Sequence, residues 1–424
     1  MKKNTYKFRL QFLLTIFILI VSFSNLNAQE QDTLKSEKQS ALKLFVDCQW
    51  CDIEHFKKEI TLVNYVRDRK EADVHMIITE MNTGSGGTEY SLIFYGEGKY
   101  KPLSDTITFA LPPNSTDEEE RDAQIKNIKR GLTPFILRSP MANKISITYQ
   151  KDKGKEEIVE DKWKSWVFET SVNGFSQGED VYTNLNLWSN VSASKVTPDI
   201  KIELKYQNSF NQSVYRLESE TIESFTRSNY GNLLITKSLG EHWAYGGFAK
   251  VYGSTYSNIE VSSSVMPAVE YNVYKYSEAT TKQLRLLYKV GPQYNNYIDT
   301  TIFDKTSEIY YSQYLGINYK NVQKWGSIEG SVYGSTFLND FSKNNVGIYV
   351  SSSFRLFKGF SLMLNGGYNQ KRNQISLPKE GSSTSDILLR QKEMASNYNY
   401  WVNFGFSYTF GSIYNNVVNA RFED

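Results

Sequence analysis

The stretch YNYWVNFGFSYTF, residues 398–410, decides how the rest of the chain is read. Every second residue (Tyr398, Tyr400, Val402, Phe404, Phe406, Tyr408 and Phe410) is aromatic or apolar, and none is charged. Asn399, Trp401, Asn403, Gly405, Ser407 and Thr409 fall on the other side. A period of two marks a strand with two unlike faces. An uncharged aromatic face opposite a small, mostly polar one suits lipid outside and a wet or packed lumen inside. Strands of a soluble sandwich also alternate, so the choice rests on the segments before it.

Working back from that stretch, eleven further segments alternate in the same way, centred near Leu362, Ile348, Ile328, Ile317, Leu286, Tyr271, Tyr245, Ile235, Leu204, Leu187 and Phe168. Twelve is an even number, as bacterial single-chain barrels require. Every second connection reads as short: 197–198, 239–242, 277–282, 322–326 and 356–359. The others read as longer and more polar, notably 211–224, 295–307 and 374–396. Short turns facing the periplasm and long outer loops are expected of an outer-membrane barrel.

Before the barrel the pattern mixes helix and strand. Leu42 to Val46, Val74 to Thr79, Tyr90 to Tyr95 and Thr106 to Ala110 read as strands. Asp52 can cap a short helix carrying Ile53, Phe56 and Ile60. Thr116 and Glu119 have capping-box spacing ahead of Ile125, Ile128, Leu132 and Phe135, which recur at helical intervals. The expected organisation is a signal peptide (1–28), a flexible lead-in (29–40) and a periplasmic α+β domain (41–150). A charged linker (151–161, KDKGKEEIVED), an all-β antiparallel transmembrane barrel of about twelve strands (162–412) and a periplasmic tail (413–424) follow.

The signal peptide rests on Lys2, Lys3, Lys7 and Arg9, the apolar run from Phe12 to Phe23, and Leu26-Asn27-Ala28 as a cleavage site. That run is shorter than the roughly 18 residues of a spanning helix, and no Cys follows it at a lipoprotein position. Removing the four basic residues of the signal from 48 Lys+Arg leaves 44 against 46 Asp+Glu, a net charge of about −2. That balance argues against nucleic acid as a partner. The 30 Tyr, 24 Phe and 7 Trp suit the aromatic girdles of a barrel wall. Mean hydropathy is negative, as it is when lipid-facing and lumen-facing residues cancel.

Candidate chemistry is sparse. Cys48 and Cys51, three apart in an exported chain, read first as a disulfide. A redox motif at a helix start and a metal site with His55 and His75 are the alternatives. The glycine run 83–87 leads into a strand rather than a helix, so it reads as a hairpin tip and not a phosphate loop. A barrel hydrolase would need a histidine near the outer rim, and the barrel's His242 falls on a turn assigned to the periplasm. The lumen-facing parity collects Glu169, Glu203, Glu270 and Glu329 with Lys201, Lys205, Lys250, Arg285, Lys289 and Arg355. Charges of both signs on facing strands pair into a network, or else line a narrow channel that mildly prefers anions. Trp188, Phe248, Tyr274, Tyr333 and Trp401 on the same side favour a filled lumen. No cofactor is expected.

The segments LFVDC (44–48) with Cys51 and Asp52, VNYVRDR (63–69), ADVH (72–75) and SYTFGSIYNNVVN (407–419) carry a resemblance. Through them the chain resembles a group of Bacteroidota-type outer-membrane β-barrel proteins with an N-terminal periplasmic α+β domain, a group without an assigned activity. The small domain is also similar in element order to periplasmic domains found beside the Tol propeller and in curli secretion, at the level of fold alone. Asp32-Thr33-Leu34, Asp105-Thr106-Ile107 and Asp299-Thr300-Thr301 look like the short O-glycosylation pattern of these bacteria. The resemblance implies an outer-membrane location, outer-membrane lipid as surroundings and the barrel-assembly machinery as a partner. The first functional expectation is a non-enzymatic protein whose periplasmic domain docks a protein partner. The second is a narrow porin-like channel for small solutes gated by that domain, and the third a barrel hydrolase.

Overall fold

The computed structural model describes residues 41–48, 50–83, 86–146, 161–217, 220–380, 392–412, 414 and 416. The expected signal peptide, the lead-in, nearly all of the linker and most of the tail lie outside the described residues, as do Gln49 and the centre of the 83–87 loop. The chain is mostly β, with a twelve-stranded antiparallel sheet following a small mixed sheet of five.

The small sheet has the order β2-β1-β3-β4-β5, made of β1 (Leu42–Asp47), β2 (Val63–Tyr65), β3 (Val74–Asn82), β4 (Thr88–Gly96) and β5 (Ser104–Leu111). β1 runs parallel to β2 and β3, and the remaining pairs are antiparallel. Helix α1 (Ile53–Glu59) is the crossover from β1 to β2, opened by the Asp52 side chain accepting from the His55 amide. Helix α2 (Asp117–Ile136) opens with a complete capping box between Thr116 and Glu119. Its apolar stripe, Ile125, Ile128, Leu132 and Phe135, is buried with Leu44, Val74, Met76, Leu92 and Phe94 in one core. The three-residue strand β2 is too short for a periodic signal, and only its parallel pairing with β1 reveals it.

Gly131 lets α2 approach that sheet. A Cβ there would strike the ring of Phe94, which is fully buried and cannot yield. Gly131→Val is therefore expected to cost about 2 kcal/mol through overpacking. Hydrogen exchange of α2 amides in the intact protein reads this as faster opening. Unchanged protection would show that the helix does not rely on this close approach.

The large sheet runs β6 (Trp166–Glu179), β7 (Tyr182–Val196), β8 (Ile200–Arg216), β9 (Thr221–Leu239), β10 (Trp243–Ser254), β11 (Ile259–Asn272), β12 (Lys282–Tyr297), β13 (Ser307–Gln323), β14 (Gly326–Phe337), β15 (Asp340–Phe357), β16 (Phe360–Lys371) and β17 (Tyr398–Tyr408). Each pairs with its sequence neighbours, leaving β6 and β17 as the two edges. Alternation gives the sheet an apolar face and a polar face. On the apolar side Val251, Leu315, Ile348 and Phe404 are all exposed, the last at 76 %.

The structure corrects the sequence reading at three places. Residues 211–224 are not a long loop, because β8 and β9 continue through them and meet at a connection of 217–220. Ladder hydrogen bonds satisfy the backbone whatever the side-chain polarity, so polar residues extend these strands. Phe410 lies beyond the end of β17, although its ring still stacks on Tyr408 at 5.5 Å. Tyr274 follows the end of β11, so it is not a strand residue facing inward.

Candidate functional site

The small domain sits against one end of the large sheet, at the short turns β13–β14 and β15–β16. Asp47, the last residue of β1, receives two hydrogen bonds from the Arg355 guanidinium of β15. Such a two-pronged, charge-assisted pair is the strongest kind of polar contact a surface joint makes. Arg355 also lies over the Phe45 ring at 5.6 Å. The buried His75 braces Asp47 from behind, its Nε2 3.3 Å from the carboxylate.

Around this pair the turns are gripped one by one. Arg69 donates to the carbonyl of Lys324, and the Lys324 ammonium pairs with Glu97 while lying 4.6 Å from the Tyr95 ring centroid. Lys358 pairs with Glu71 at 2.6 Å, a hydrogen bond that raises the lysine pKa and keeps it charged. The amide of Gly359 donates to Asp68 at 3.1 Å. Gly359 takes a left-handed φ of 71°, and a Cβ there would strike the Thr409 carbonyl. The end of the chain closes the joint: Asn416 accepts from the Tyr65 amide at 2.6 Å and donates to Asn64, and Tyr414 bridges Val66.

Cys48 and Cys51 form a disulfide at this joint, with Cα atoms 5.8 Å apart. They are therefore not thiolate ligands with His55 and His75, and among the described residues no three His, Cys, Asp or Glu side chains gather as a metal site. The loop they close carries Trp50, 81 % exposed, beside a cavity of about 800 Å³. Glu80, Tyr90 and Gln124 line its small-domain side, and Lys320, Asn365 and Trp401 its polar-face side. The small domain thus covers one end of the polar face.

Farther along that face the expected charges divide into three groups. Lys201 pairs with Glu203 at 3.0 Å, and Arg285 approaches Glu270 at 3.7 Å. Glu329 pairs with Lys320, directly opposite it in register, and Arg355 is spent on the small domain. Glu169 lies near Gly86 of the β3–β4 hairpin, 4.0 Å from where a Cβ would stand. Lys205 and Lys250 share one row of the ladder through Asn232. Lys250 lies over Tyr230 and Tyr252, and Lys289 over Phe248 and Tyr314. Among the described residues, Lys205, Lys250 and Lys289 have no carboxylate in ion-pair contact. Tyr314, with two further rings, lies against the wall: Tyr314, Tyr333 and Trp401 crowd the Cβ positions of Gly316, Gly347 and Gly367. Tyr333 and Trp401, two of the large side chains expected on this side, each lie over a glycine of the neighbouring strand.

The far end of the polar face is covered as well. The connection after β16 turns inward, burying Ile375 against Tyr310 and Phe337. It pairs with the β12–β13 connection, Thr301 bridging Pro378 and Ile302 donating to the Leu377 carbonyl. Asn258 ties both connections together through the Asp299 and Ser376 carbonyls. His242 is on the turn between β9 and β10, its Nδ1 2.8 Å from the Asn272 carbonyl.

Sequence reasoning missed most of the joint. Its signals were present: the charged run Arg67-Asp68-Arg69-Lys70-Glu71, and a lysine in each of the two short turns, Lys324 and Lys358. Polar turn residues read as solvated until a partner surface is known. No protein-family model matches the chain, and no curated protein matches it.

Proposed function

We propose that β6 and β17 meet to close the large sheet into an outer-membrane β-barrel, and that the small domain is a periplasmic plug gating a narrow channel. The apolar face then meets lipid and the polar face lines the lumen. Closure is the arrangement a membrane demands, because an open edge leaves backbone groups without partners in hydrocarbon. The observation that carries the gating is the Asp47–Arg355 pair, which joins the plug to a lumen-facing residue. Lys205, Lys250 and Lys289 give the lumen its anion preference.

Single-channel conductance in planar bilayers tests this reading. Protein lacking residues 29–161 is expected to conduct steadily, with a reversal potential in a KCl gradient displaced toward chloride, and full-length protein to conduct less. Silence from both forms would contradict a channel. A second reading, in which the small domain docks a periplasmic protein, is favoured by β5, one of the two edges of its sheet; the other, β2, is met by Tyr414 and Asn416, whereas no bridge reaches the outer side of β5 among the described residues.

A further inference from the structure

Between residues 66 and 71 the joint uses four side chains or backbones and leaves two residues over. Val66 pairs with Tyr414, Asp68 accepts from Gly359, Arg69 donates to Lys324 and Glu71 holds Lys358. Arg67 and Lys70 are exposed, and among the described residues neither has an ion-pair partner. Both line two adjoining cavities of about 490 and 360 Å³, in the notch between the small domain and the β15–β16 turn. The remaining acid there is Asp68, and its oxygens are taken by the amides of Lys70 and Gly359.

The opposite wall of the notch is aromatic. Phe357, Tyr408 and Phe410 are 56, 56 and 78 % exposed. Their rings form a chain with Phe360: Phe357 to Phe360 at 4.7 Å, Phe357 to Tyr408 at 6.3 Å and Tyr408 to Phe410 at 5.5 Å. These rings continue the apolar face to its end, where a barrel wall meets the headgroup level of the bilayer.

We propose that the notch binds the headgroup of an anionic phospholipid from the leaflet beside the small domain, an inference that rests on the membrane reading above. The guanidinium of Arg67 offers a planar fork to the phosphate, and Lys70 adds a second charge. The acyl chains lie along the aromatic wall. Because the notch joins turn and domain, a bound headgroup stabilises the seated plug.

Native mass spectrometry of the full-length protein in detergent, titrated with phosphatidylglycerol, tests this. Wild type is expected to hold one phosphatidylglycerol at about thirtyfold lower concentration than Arg67→Gln/Lys70→Gln, the loss of two basic residues near a headgroup. Lys101→Gln, an exposed lysine on another turn, should match wild type. Equal retention by wild type and the double variant, or equal retention of phosphatidylcholine and phosphatidylglycerol by wild type, would overturn the proposal. Glycerol 3-phosphate competing as well as the lipid would assign the notch to a free phosphate and overturn it too. Binding in detergent is read without conductance, so a silent channel and an empty notch are separate results.

Discussion

Arg355→Glu is expected to unseat the small domain and raise the open-channel population by about a hundredfold. The residue makes both hydrogen bonds to Asp47, and the two side chains are largely covered, 26 and 15 % exposed. Removing one partner of such a pair costs about 3 kcal/mol, chiefly because the other charge stays covered, here with only the His75 ring beside it. At 1.4 kcal/mol per decade, that is about two decades in the equilibrium. A glutamate adds repulsion toward Asp47 and removes the cation over Phe45. Open probability in planar bilayers is the readout, and Asp47→Arg in the same chain should recover part of the closed state. An Arg355→Glu channel that opens no more often than wild type would show that the pair does not hold the gate.

Deleting residues 398–408 is expected to abolish insertion altogether. β17 pairs with β16 along eleven registered positions, from Gln370 opposite Tyr398 to Phe360 opposite Tyr408. Without it the whole edge of β16 is exposed, and each backbone group left unpaired in hydrocarbon costs several kcal/mol, which over the length of the strand exceeds the entire stability of a small domain. The strand also supplies the most continuous aromatic face in the chain. Phe410→Ala is expected to do less, because Phe410 follows the strand and only stacks on Tyr408. Heat-modifiable migration of the membrane fraction distinguishes the two variants. A normally inserted deletion protein would sink the idea that β17 is required.

The twelve strands were legible because alternation with a period of two survives in each, even where a strand is half glycine and serine. Helix α2 was legible from Thr116, Glu119 and four apolar residues at helical spacing. Strand ends were not, because the ladder carries polar stretches such as 211–216 as readily as apolar ones. The joint was illegible for a different reason. Asp47 and Arg355 are 308 positions apart, and nothing local distinguishes their pairing from two solvated charges. Mutual pairing of the interior charges was anticipated from parity, yet Arg355 turned to the small domain, and Lys250 and Lys289 took aromatic rings instead of acids. Parity assigns a face; it does not choose the partner.

Both the lumen and its gate require the large sheet to close between its edges, β6 and β17. Ser171 on β6 can be paired as cysteine with Trp401, Asn403 or Gly405 on β17, all on the polar face, and oxidised in outer-membrane vesicles. Asn365→Cys with Asn403→Cys, opposite each other on β16 and β17, is the positive control. The expected result is a cross-link for one of the three β6–β17 pairs in protein that migrates as a heat-modifiable band. A control pair that cross-links while all three β6–β17 pairs stay reduced would contradict a closed barrel.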